Sequence, residues 1–108
     1  MNLNKFFSEL ATKLKPVNVN SKMKINVYYN AVELEWPVEN ELKKTLVIRP
    51  DEKIAHHMNV DEIWLGEDSE GSPWSDNMGG LRIDCTGMNC ENAIGTIVKK
   101  IRENYDLF

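Results

Sequence analysis

At 108 residues, the chain is long enough to bury the core of one domain without disulfide staples. Its composition, 42% hydrophobic and 28% charged, excludes the disordered, collagen-like and low-complexity classes. A net charge of −4 argues against nucleic acid as a direct partner, because neutralising phosphates takes an excess of lysine and arginine.

We expect a single domain over 1–108. No apolar run approaches the roughly 20 residues of a membrane span, so no membrane association is expected. The opening MNLNKFFSELATKLK carries Lys5, Glu9, Lys13 and Lys15, and it lacks the uninterrupted apolar segment of a secretory signal. That points to a cytoplasmic protein, in which Cys85 and Cys90 are reduced thiols.

The first element is a helix. Leu3, Phe6, Phe7, Leu10 and Leu14 follow one face of a 3.6-residue period, Asn2 suits the N-cap, and Pro16 stops the run. In KMKINVYYNAVELEWP, Ile25, Val27 and Tyr29 alternate with polar neighbours, and the alternation changes phase after Asn30 to Val32, Leu34 and Trp36. A bulge, or two short strands joined tightly, satisfies that change. VENELKK reads as a connector and TLVIR, 45–49, as a strand rich in β-branched residues. Pro50, Asp51 and Glu52 resemble a first helical turn, predicting a short helix over 50–58.

VDEIWLG is the next strand, with Ile63 and Leu65 opposite Glu62 and Trp64. GEDSEGSPWSDNMGG, 66–80, has no periodicity and reads as a long loop, followed by a strand over LRIDC, 81–85. The last element is a helix with a stripe of Cys90, Ala93, Ile94, Ile97, Val98, Ile101 and Tyr105, capped by Thr86 or Asn89. The predicted fold class is α+β. We expect two layers, a four- or five-stranded mainly antiparallel sheet with the N- and C-terminal helices on one face. The uncovered face would hold Lys24, Tyr28, Arg49, Glu62, Trp64, Arg82 and Asp84.

No motif specifies chemistry. CTGMNC is C-x4-C, not the spacing of a zinc or redox pair, and both cysteines fall on apolar faces. His56 and His57 are adjacent, so on a helix they diverge instead of chelating. Counted from Asp68, the loop puts Pro73 where a calcium-binding EF-hand needs glycine. Gly79-Gly80 leads into a strand with no following lysine, which rules out a phosphate cradle. No metal and no cofactor are therefore expected.

Charge is the stronger signal. Residues 31–41 carry Glu33, Glu35, Glu39 and Glu41 with no base, and 60–91 carry eight acids against Arg82 alone. Localised acid attracts a basic partner and speeds encounter with it. A tryptophan inside an acidic loop suits an interface anchor. The sequence therefore reads as a small acidic non-enzymatic protein-binding domain, in concrete form an inhibitor or immunity-type protein neutralising a basic toxin or nuclease. Its expected binding residues are Trp74, Asp68, Glu70, Asp76, Trp64 and Glu62. The alternatives are a small enzyme using His56 or His57 with Cys90, and a structural or assembly subunit that forms a homo-oligomer.

Overall fold

A computed structural model describes residues 3–15 and 23–105. In chain order it contains α1 (Leu3–Leu14), β1 (Lys24–Tyr28), β2 (Ala31–Glu35), β3 (Lys43–Pro50), β4 (His57–Glu67), β5 (Pro73–Asp84) and α2 (Cys90–Asn104). The five strands form one sheet in the order β1-β2-β3-β4-β5, every neighbouring pair antiparallel. With the two helices this is the α+β architecture expected. The expected cap at Asn2 and stop at Pro16 lie outside the described residues.

α1 buries Phe6, Phe7, Leu10, Ala11 and Leu14, the stripe its spacing dictates. Phe6 and Phe7 meet edge to face, with ring centroids 5.3 Å apart. α2 buries Ala93, Ile94, Ile97 and Ile101. It starts where Asn89 accepts a hydrogen bond from the Asn92 N–H, the second of the two caps considered. Both stripes meet Val32, Leu34, Leu46, Ile48, Met58, Val60 and Ile83 of the sheet in one core. Each buried Leu, Ile or Phe contributes about 1.5–3 kcal/mol.

The phase change near Asn30 is a hairpin. Tyr28 pairs with Ala31 around Tyr29-Asn30, so Ile25 and Val27 face the same way as Leu34 and Val32. The connector to β3 is a second tight turn, with two hydrogen bonds between Glu39 and Leu42. Asn40 and Glu41 there have φ of 52° and 65°, the left-handed pair of a type I′ hairpin.

Three expectations are corrected. There is no helix over 50–58: Pro50 ends β3, a bend follows, and β4 starts at His57. Asp51 uses its carboxylate to accept the N–H groups of Lys53 and Ile54, which satisfies the same donors a helix start would leave open. Second, 66–80 is not a loop. Gly66 and Glu67 belong to β4, Pro73 onward belongs to β5, and only 68–72 turn. LRIDC is the inner end of that longer strand.

Third, Glu62 and Trp64 are not on the uncovered face. Glu62 pairs with Leu46 and Trp64 with Lys44 in an unbroken register from Met58 to Leu65. They therefore point to the side that carries Leu46, Ile48 and Val60, and Ile63 and Leu65 point to the other. A bulge adjusts β5 to this register: Gly80 faces Asp61, Asn77 faces Ile63, and Met78 and Gly79 share the interval.

Candidate functional site

The uncovered sheet face is a lattice of paired charges. Lys43 pairs with Glu35, Arg49 with Asp61 at 3.3 Å, Arg82 with Asp51 at 3.4 Å, and His57 faces Asp84 at 3.8 Å. The Asn26 side-chain amide donates to both Glu33 and Glu35, and the Tyr28 hydroxyl donates to Glu33. Lys43 and Asn26 hold the Glu35 carboxyl below the usual carboxylate range, and Glu35 in turn raises Lys43. The neighbouring Glu33 carboxylate pushes the Tyr28 hydroxyl up. These acids already have partners within the fold.

Six acids without an ion pair among the described residues gather elsewhere, whereas Glu33, Glu52 and Glu91 also lack one and lie apart from them. Glu39 and Glu41 sit on the β2–β3 turn, Glu67, Asp68 and Glu70 around the β4–β5 turn, and Asp76 on the outer half of β5. A groove of about 790 Å³, lined among others by Val38, Glu41, Glu67, Asp68 and Pro73, runs between the two turns. The two acidic stretches, far apart in sequence, thus meet at one end of the sheet.

All three tryptophans of the chain are at that same end, on the same side of the sheet. Trp36 donates its backbone N–H to Lys44 O, Lys44 pairs with Trp64, and Trp64 pairs with Asp76, which makes one row across β2 to β5. Trp74 lies one pair further out, opposite Gly66. Trp36 packs against the edge of the core, and strand length carries the outer end of β4 and β5 beyond it. The 11 residues of β4 run roughly 36 Å, whereas the 15 residues of α2 reach roughly 22 Å.

Within the row, Lys44 Nζ lies 4.7 Å from the Trp36 ring centroid and 3.4 Å from Glu62 Oε1. Glu62 and Asp61 also help raise the hydroxyl of Tyr105, though burial is the main cause. A groove of about 400 Å³ is lined by Trp36, Pro37, Glu39, Leu42, Lys44 and Trp64 with their neighbours. Among the described residues, Trp64 Nε1 is a buried side-chain donor with no acceptor.

Five of the six expected binding residues are at this end, and Glu62 lies at the middle of β4 opposite Leu46. Glu62, Trp64, Asp76 and Trp74 share one face, and Asp68 and Glu70 are at the tip. Asp68 has an internal duty: its Oδ1 accepts the N–H groups of Glu70 and Ser72 and so shapes the turn. Sequence reasoning missed Trp36, Leu42 and Lys44. Trp36-Pro37 was legible as a strand end, but its neighbours depend on the pairing register.

The histidines and thiols lie apart from this row. His56 and His57 line an apolar cavity of about 240 Å³ with Asp51, Met58, Cys85 and Met88. Cys90, expected on the buried stripe, is exposed as the first residue of α2. It does not line the histidine cavity. Cys85 does, and burial pushes its thiol up, away from a reactive thiolate. Among the described residues, no three His, Cys, Asp or Glu side chains group as a metal site, and no helix is long and apolar enough to cross a membrane.

No protein-family model, no curated protein and no solved structure matches the chain.

Proposed function

We propose that the protein is a small non-enzymatic binding module whose acidic, tryptophan-bearing end docks a basic protein partner. One observation carries this reading: Trp36, Trp64 and Trp74 share a face with Asp76, beside the unpaired acids of both turns. Half-exposed indoles supply anchor area, and the surrounding acids supply steering. An inhibitor or immunity-type protein that neutralises a cationic toxin or nuclease is the form in which such a surface has an obvious use. The helix layer has the opposite character, with Lys13, Lys99 and Arg102 lining the groove between α1 and α2. A basic partner is thereby oriented toward the sheet end.

The test is kinetic. A partner captured at low salt is purified, and its association rate is measured against salt. With Glu70→Lys and Asp76→Lys combined, association slows about tenfold at low salt. A charge change on the helix layer, Lys99→Glu, does not slow it. Equal association rates for wild type and the double variant would sink the reading.

A further inference from the structure

We propose that the protein self-associates through β1, which pairs antiparallel with β1 of a second copy across a two-fold axis and joins the two sheets into one. Among the described residues, β1 pairs with β2 alone and so forms one edge of the sheet. Tyr28 and Ala31 close a two-residue turn, which makes them a hydrogen-bonded pair. By alternation, Asn26 with Glu33 and Lys24 with Glu35 are hydrogen-bonded pairs as well. The N–H and C=O groups of Ile25 and Val27 therefore point away from β2, along the open edge. Such an edge is a template for another strand.

The two edges of the sheet are guarded differently. β5 begins at Pro73, is broken by the bulge at Met78-Gly79, and carries Asp76, Arg82 and Asp84. Each of these devices obstructs edge pairing. β1 reads KINVY, with no proline and no bulge, and its one charge, Lys24, is at its first residue. It leads into three consecutive exposed apolar side chains, Val27 at 44%, Tyr28 at 52% and Tyr29 at 77%. Val27 pairs with the fully buried Val32, so it lies on the core side of the sheet and is still open at the edge. A run of this kind marks a contact surface.

The strand that fits this edge is β1 itself. Centred on Asn26, an antiparallel pairing sets Ile25 against Val27 of the second copy, so the outward N–H and C=O groups of both strands bond one another. Asn26 meets its own counterpart on the axis, with its amide already turned onto Glu33 and Glu35. On the core side, Ile25 and Val27 of both copies make one apolar patch. On the other face, Lys24 meets Tyr28 of the second copy, whose hydroxyl donates to Glu33. The ammonium thus arrives beside a carboxylate that has no ion pair among the described residues. A parallel pairing would set Lys24 beside Lys24, and a two-residue slip either way would lose the contact of Lys24 with Tyr28. The acidic ends of the two copies point in opposite directions, so this inference stands or falls apart from the docking reading.

Sedimentation equilibrium of the full chain from about 10 μM to about 1 mM, with amide hydrogen exchange at both limits, tests the proposal. The average mass should rise from monomer toward dimer, as suits a small, transient interface. At the upper limit the Ile25 and Val27 amides should exchange about fivefold more slowly, and those of β5 should not change. Val27→Lys should weaken the dimer about tenfold, whereas Val27→Thr should keep it. Lys24→Glu should weaken it about fivefold, whereas Lys24→Arg should keep it. In a Cys90→Ser background, Asn26→Cys should form a covalent dimer with oxidised glutathione, because paired Cα atoms at the axis are about 4.5 Å apart. Lys24→Cys, roughly 13 Å from its own counterpart, should not.

A monomer at every concentration overturns the inference. A dimer whose Ile25 and Val27 amides exchange as fast as in the monomer also overturns it, because the contact then lies elsewhere. So does a dimer that both Val27→Lys and Lys24→Glu leave intact, or covalent dimer formed equally by Lys24→Cys and Asn26→Cys. Thermal melts identify any variant that fails to fold, and Lys24→Glu then reads the same contact as Val27→Lys.

Discussion

The Trp74 indole lies in close contact with Gly66. A Cβ added to Gly66 would stand 2.7 Å from Trp74 Cζ2 and 2.9 Å from Cε2. Glycine is therefore needed opposite Trp74 for contact and not for backbone freedom. Trp74 is 39% exposed, so its ring can lift away from an intruding methyl. We expect Gly66→Ala to cost about 1 kcal/mol of stability and to shift Trp74 emission to longer wavelength. Urea melts and fluorescence of a variant with Trp36 and Trp64 replaced by Phe check this; unchanged emission would contradict the close contact.

Gly80 has a harsher constraint. A Cβ there would fall 1.7 Å from the Val60 carbonyl oxygen, within the β4 backbone itself. Backbone cannot rotate aside as an indole can. Gly80→Ala should therefore cost about 3 kcal/mol or more. Gly79, its neighbour in the bulge, has φ of +91° and open space around its Cα. Asn tolerates that conformation, so Gly79→Asn should stay within about 1 kcal/mol of wild type. Equal losses at the two sites in thermal denaturation would refute the bulge register.

Glu41 holds the second left-handed position of the Asn40-Glu41 turn, where type I′ hairpins favour glycine. Relief of that strain exceeds the added freedom of glycine in the unfolded chain. Glu41→Gly should raise stability by about 0.5–1 kcal/mol. The same change removes one rim acid, so it should also slow association with a basic partner. Denaturation and binding are thus expected to move in opposite directions.

Asp51 makes stability depend on acid pH. The Ile54 and Lys53 N–H groups, with help from Arg82, lower its carboxyl from 3.8 to about 2. A group with a depressed folded-state pKa contributes stability that is present above the unfolded value near 4 and is lost as pH falls toward about 2. Asp51→Asn keeps an acceptor for the turn but has no proton to gain. Between pH 4 and pH 2, wild type should therefore lose more of its denaturation midpoint than Asp51→Asn does. Parallel losses would show that Asp51 is not the linked group.

The helices were readable because α1 and α2 each place an apolar residue at nearly every core-facing position, and burial follows spacing directly. The errors share a cause. Asp51 presents identical chemistry to a helix start and to a six-residue bend, and only the pairing of His57 with Asp84 separates them. Residues 73–80 are all exposed and run Pro, Trp, three polar residues, Met and two Gly, so no alternation marks them as strand. Their extended state is imposed by the pairing of Trp74 with Gly66 and Asp76 with Trp64.

The side taken by Glu62 and Trp64 shows this most clearly. Ile63 and Leu65 are the apolar alternates of VDEIWLG, and taken alone they claim the core. Val60, fully buried, sets the parity instead, and it carries through to Trp64 because the register does not slip. Beyond the helices, burial no longer reports which side is which. The candidate site was half legible for the same reason: its acids and Trp74 stand out in composition, whereas Trp36 and Lys44 join them only through pairing.

The strand order β1-β2-β3-β4-β5 has a consequence for how the molecule is made. Each strand finds its partner immediately upstream, so the sheet can zip from its first hairpin while synthesis continues. The helices cannot follow that schedule. The Phe6, Phe7, Leu10 and Leu14 stripe of α1 is made before the sheet, but it shares its core with Ile94, Ile97 and Ile101 of α2, which is made after it. Until α2 is made, the part of that stripe which α2 covers stays open even after β1 and β2 have packed on the rest, which makes it a segment for a ribosome-associated chaperone to shield.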